Sequence, residues 1–155
     1  MVLAKSSAIP TNPSAQVQVV LKWMESMTEG DLDGLESTLA DNYIHVVLPA
    51  STGVAVHNDK ESYLASVKEV MSMFTGNTAT ILEIIEVPGV VVLHESSDGK
   101  TKFGVDYKNE AIMTYYLEPA GEGKYKVAKV KAFVDSKFTA GFAEEVQKVL
   151  ASSAK

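Results

Sequence analysis

The chain has 155 residues, 46% of them hydrophobic, and a net charge of −6, which suits one domain with a substantial core and argues against a nucleic-acid partner. No run approaches the ~20 apolar residues of a membrane span, and residues 1–13 lack the continuous apolar segment of a secretory signal, so no membrane partner and a cytoplasmic location are expected. There is no cysteine, which removes disulfides, thiolate metal sites and thiol nucleophiles, and all fourteen basic residues are lysine, so a bidentate guanidinium clamp is absent and the expected ligand is neutral or weakly polar.

Residues 1–13 read as a loose arm, small and polar with two prolines, and residues 14–155 as a single domain. Ser14 is an N-cap type of residue ahead of a first helix. Val17, Val20, Leu21, Met24 and Met27 recur there at helical spacing, with Trp23 among them. Gly30 ends that helix, and Asp31 caps a short second one carrying Leu32, Leu35 and Leu39. A strand over 43–48 follows, terminated by Pro49. Asn58 and Glu61 have capping-box spacing, so a third helix is expected over 59–75, with Gly76 as its stop. Its apolar stripe is Tyr63, Leu64, Val67, Val70, Met71 and Phe74.

The rest is mostly β. Strands are expected over 78–87 and 90–96, with turns at Pro88-Gly89 and Asp98-Gly99. Two long strands then span 104–135 around the turn Pro119-Ala120-Gly121-Glu122-Gly123. In the first, alternation puts Val105, Tyr107, Asn109, Ala111, Met113, Tyr115 and Leu117 on the buried face. In the second, Ala128, Val130, Ala132 and Val134 form the more apolar face. A final helix over 138–151 carries Phe138, Phe142, Val146, Val149 and Leu150 on one stripe. Helices segregated from an antiparallel sheet make an α+β domain.

Several of these pieces resemble a known group. They are the run His45-x-x-Leu48-Pro49-x-Ser51 with Gly53 after it, the pair Asn109-Glu110, and the ending Phe133-Val134-Asp135-Ser136. Together with the helix–helix–strand–helix opening they resemble fungal SnoaL-like proteins of the nuclear-transport-factor-2-like superfamily, over most of the chain from Ser14 to Asp135. The resemblance implies a cone-shaped fold, with a strongly curved antiparallel sheet wrapped around the N-terminal helices and an internal pocket. Members of that superfamily include polyketide cyclases, ketosteroid isomerase, scytalone dehydratase and epoxide hydrolases, as well as non-enzymatic binding and dimerisation domains. The two-carboxylate arrangement of ketosteroid isomerase does not carry over: the corresponding positions fall in Val46-Val47-Leu48 and at Met113.

The candidate catalytic residues are His45, Asn109 and Asp135. His45 reads as a general base or hydrogen-bond donor lining the cone, or as a half-buried ring satisfied by backbone. Asn109 is the one strongly polar member of an apolar face. It would bind a ligand carbonyl or tie down a neighbouring strand. Asp135 reads as a strand-end acid or as the N-cap of the final helix. Trp23, Met27, Tyr43, Met71, Phe74, Met113 and Tyr115 are the candidate ligand-binding set, an adaptable apolar lining. His94 and Glu95 are adjacent on a strand and face opposite ways, so each is expected at a rim or on the surface, and His57 is expected to be exposed. No spacing of His and carboxylates suits a metal, and no cofactor is expected.

The functional expectation is a pocket protein for a small hydrophobic metabolite of polyketide or terpenoid type, with cofactor-independent cyclase, isomerase or dehydratase chemistry. The alternative is a non-catalytic dimeric module with a filled or vestigial pocket. Ile112 and Tyr116, expected on the outer face of a long strand, point to a homodimer.

Overall fold

A computed structural model of the protein describes residues 2–4 and 6–153. The first element is a short strand, β1 (Val2–Ala4), paired in parallel with a later strand at Thr78–Thr80. That stretch had read as part of a loose arm. Helix α1 (Ala15–Glu29) starts where Ser14 accepts a hydrogen bond from the Val17 amide, and it ends at Gly30, whose φ of 75° lies in the left-handed region. Asp31 caps α2 (Leu32–Thr38) by accepting from the Gly34 amide. β2 (Leu39–Leu48) follows directly, and Pro49, joined through a cis peptide bond, ends it before a 3-10 turn at Ala50–Thr52.

α3 (Lys60–Met73) is capped by Asp59, which accepts from the Ser62 amide at 2.7 Å. Asn58 is therefore one residue outside the cap it was expected to form. The helix gives way at once to β3 (Phe74–Val87), with no glycine at the junction; Gly76 lies inside the strand. β4 (Val90–Thr101) also runs longer than its sequence suggests. Asp98 and Gly99 are strand residues, paired with Thr78 and Asn77 on one side and with Lys108 and Tyr107 on the other. Gly99 is needed for close approach rather than for a turn: a Cβ there would sit 2.8 Å from the Gly76 carbonyl oxygen. β5 (Asp106–Pro119) and β6 (Tyr125–Val134) complete the long hairpin, and α4 (Ser136–Ser153) closes the chain.

The six strands form one mixed sheet in the order β1-β3-β4-β5-β6-β2. Its four central strands are antiparallel, and β1 and β2 join the two edges in parallel. The inner face carries Ile81, Val91, Leu93, Met113, Tyr115, Val127, Val130 and Ala132 against Val17, Val20, Trp23 and Met24 of α1, Leu35 of α2 and Tyr63 of α3. Alternation along β5 is as expected. In β6 the register shifts between Tyr116–Lys129 and Leu117–Val127, leaving Ala128 as an extra residue. This bulge turns Val127 into the core in place of Ala128. No helix among the described residues is long and apolar enough to cross a membrane.

Candidate functional site

Between the helices and the inner face lies a cavity of about 290 Å³. α1 contributes Trp23 and Met27, β2 contributes His45 and Val47, and α3 contributes Tyr63, Ser66, Val67 and Val70. The floor comes from Tyr107, Met113, Ala132 and Val134 of the sheet, and the rim from Val54 and His57 in the segment before α3. Most of these walls are apolar, the usual character of a small-molecule site, and the volume sits at the small end of the ~300–1,000 Å³ such sites occupy.

The polar part of the cavity is built around His45. Tyr43 and His45 are two apart on β2, so both side chains face inward. The Tyr43 hydroxyl is 2.9 Å from His45 Nδ1. The imidazole lies between two aromatic rings, 4.6 Å from Tyr63 at 21° and 6.5 Å from Trp23 at 5°. Its backbone pairs with His57 in both directions, at 2.8 and 3.0 Å. That pairing folds the 53–59 segment over the cavity and makes His57 a half-buried rim residue instead of an exposed one. Burial, with a further contribution from His57, lowers the His45 pKa to about 4. The ring is therefore neutral near pH 7. Burial also pushes the phenols of Tyr43 and Tyr63 up, so this group acts through neutral donors and acceptors. The Trp23 indole N–H is buried and lies on the Tyr43 hydroxyl side of this group.

Asn109 lies outside this cavity. Its Nδ2 donates to the Thr139 hydroxyl at 3.2 Å, and its Oδ1 accepts from the Asp135 amide at 3.2 Å. This is the strand-tying alternative, with the partner on α4 rather than on a neighbouring strand. Asp135 in turn accepts from the Phe138 amide at 3.1 Å and so caps α4. The expectation that Asn109 and His45 share one pocket fails because the first turn of α4 takes up both polar ends of the amide.

The candidate lining set divides. Trp23, Met27 and Met113 line the cavity. Tyr43 lies behind it and reaches it through His45. Tyr115 is packed in the core, edge-on to Trp23 with its hydroxyl on Met24 Sδ at 3.2 Å. Met71 and Phe74 border a separate groove beside Gly30. Phe74 joins Tyr107, Phe138 and Phe142 in an aromatic cluster through which α4 covers the sheet. Among the described residues no three His, Asp or Glu side chains gather as a metal site would.

Sequence reasoning placed Tyr63 and Tyr107 on buried faces but not in the candidate site, and expected Glu95 at a rim or on the surface. His94 is on the outer face, paired with Glu110 at 2.6 Å. Glu95 faces inward: it pairs with Ala111 and continues the buried positions Val91 and Leu93. The residue as a whole is half-buried, but its Oε2 is sealed from solvent without a hydrogen-bond partner. Burial pushes its pKa up to about 7. Its charge also raises the phenols of Tyr107 and Tyr115, so the carboxyl lies close to both.

No protein-family model matches the sequence, and no curated protein sequence matches it. Solved structures do match. AusH from Aspergillus nidulans superposes with a TM-score of 0.67 at 20% identity, over 82% of this chain and 88% of AusH. The BvnE pinacolase from Penicillium brevicompactum gives 0.69 at 18% identity, over 92% of this chain and all (100%) of BvnE. A protein from Shewanella denitrificans, described as a SnoaL-like polyketide cyclase, gives 0.71 at 14% identity, over 86% and 99%. At these identities the likeness is one of fold, and the chain has the cone-shaped α+β fold of these structures, a curved sheet with a C-terminal helix.

Proposed function

We propose that this protein binds a small hydrophobic metabolite carrying a carbonyl group, of polyketide or terpenoid type, and converts it by cofactor-independent proton transfer such as cyclisation, isomerisation or dehydration. The observation that carries this reading is the mostly apolar cavity of about 290 Å³ with His45 in its wall, bonded from behind to Tyr43. A pinacolase and a described polyketide cyclase among the structural neighbours are consistent with such chemistry on this fold.

The low His45 pKa changes the role expected of it. A ring held at about 4 is a weak base near pH 7, but a neutral imidazole is a good hydrogen-bond donor and polarises a carbonyl without being charged. With Tyr43 donating to Nδ1, the ring proton is on Nε2 and is offered to the ligand.

Trp23 is the only tryptophan in the chain, so its emission reports on the cavity alone. Titrating 2-decalone, a bicyclic ketone, should change that emission saturably. His45→Phe keeps the ring volume and removes the donor, and should weaken binding by about fivefold, the value of one hydrogen bond. A Trp23 signal that ignores the ketone, or equal affinity in His45→Phe, would rule the reading out.

A further inference from the structure

One inward polar group remains without a task. Glu95 has a carboxyl oxygen that no protein group satisfies, and buried carboxyls are rarely left in that condition. Its cross-strand partner is Ala111, whose methyl group blocks little of the space in front of it. Met113, diagonal to Glu95 across the β4–β5 pair, lines the cavity, as does Tyr107, whose hydroxyl feels the Glu95 charge. By register, Glu95 thus sits on the inner face one diagonal position from the cavity-lining Met113, three strands from His45 on β2.

We propose that Glu95 is a second ligand-contacting residue, whose protonated carboxyl reaches past Ala111 and beside Tyr107 to donate a hydrogen bond to an oxygen at the end of the ligand away from His45. The preferred ligand then carries two separated oxygen functions on an apolar skeleton, such as a diketone. This rests on the reading of the cavity given above and specifies its substrate class.

The titratable groups that face Glu95 are the phenols of Tyr107 and Tyr115 on β5; β3 presents Ile81 directly opposite. Neither phenol ionises near neutral pH, since burial and the Glu95 charge both raise them. His45 across the cavity is neutral in the same range. The protonation of Glu95 itself should therefore set any pH dependence of contact at this end.

Two measurements test the proposal. The chain has no cysteine, so Glu95→Cys supplies a unique thiol. A small methanethiosulfonate should label it under native conditions on the order of ten times faster than the thiol of Ala79→Cys, a sealed inward position on β3. Calorimetry then compares 2-decalone with a methylated bicyclic enedione of the same skeleton. In the wild type the dione should bind about fivefold more tightly below pH 7, and this advantage should shrink as pH rises through about 7, where Glu95 loses its proton. In Glu95→Leu the advantage should vanish at every pH. Labelling as slow as at position 79, or a dione advantage that is absent, flat with pH or kept in Glu95→Leu, overturns the proposal while leaving the His45 site standing. If neither ketone binds the wild type, the reading of the cavity fails, and this proposal with it.

Discussion

Two buried groups in this protein titrate in opposite senses, and their effects on stability oppose each other. His45 has a folded pKa of about 4, below its ordinary 6.5. The unfolded chain binds more protons than the native one between those values, so His45 makes stability fall as pH drops from 6.5 to 4. Glu95 has a folded pKa of about 7, above its ordinary 4.5, so the native state binds more protons and stability falls as pH rises from 4.5 to 7. Each shift is on the order of 3 kcal/mol, and in the wild type the two slopes largely cancel over the shared window. Single variants should separate them. Urea melts of Glu95→Gln should show stability rising between pH 4.5 and 6.5, and those of His45→Phe should show it falling over the same range. Parallel pH profiles for the two variants would mean that neither group is buried as described. The inward placement of Tyr43 and His45 was legible from strand alternation. That of Glu95 was not, because both faces of β4 carry aliphatic residues: Val90 and Val92 on one, Val91 and Leu93 on the other. Only pairing with Ala111 decides which face is inside.

At the scale of elements, the junction of β6 with α4 depends on one side-chain network. Asn109, Asp135 and Thr139 join β5 to the first turn of α4, and Phe138 and Phe142 then lie against Tyr107. Asn109→Leu removes its bonds to the Asp135 amide and the Thr139 hydroxyl, but the amide keeps the Glu110 carbonyl and the hydroxyl keeps the Asp135 carbonyl, so the loss in chemical denaturation should be about 1 kcal/mol. Asp135→Ala should cost about 1 kcal/mol through loss of the cap. The two losses should be non-additive, since both residues hold the same first turn of α4, Asn109 through the Asp135 amide and Thr139, Asp135 through the Phe138 amide; strictly additive losses would show that the network is not one unit. Ends of elements marked by a cap residue were readable in the sequence, as at Ser14, Gly30 and Asp31. The α3–β3 junction carries no such mark, because the helix passes into a strand without a breaker. The bulge at Ala128 was hidden for a related reason: Val127 and Ala128 are both apolar, so composition does not say which one faces the core.

On the whole molecule, the outer face of the sheet is where assembly would occur. Ile112 and Phe133 are direct cross-strand partners and are 41% and 55% exposed. Tyr116, expected beside Ile112, is half-buried, with the Lys131 ammonium 5.4 Å above its ring. The exposed apolar patch is thus Ile112 with Phe133 in a field of charged residues, the pattern of a self-complementary interface core. We expect a symmetric dimer through this face, and Ile112→Lys should reduce the mass found by light scattering to that of a monomer. A wild-type protein already monomeric at micromolar concentration would exclude it.

The cavity claim has its most direct test in a crystal structure of the protein grown with 2-decalone. The account predicts the bicycle inside the cone, against Met113 and Val67, with its oxygen within hydrogen-bonding distance of the His45 ring. A closed cavity with the ketone absent, or bound only on the outer face of the sheet, would contradict it.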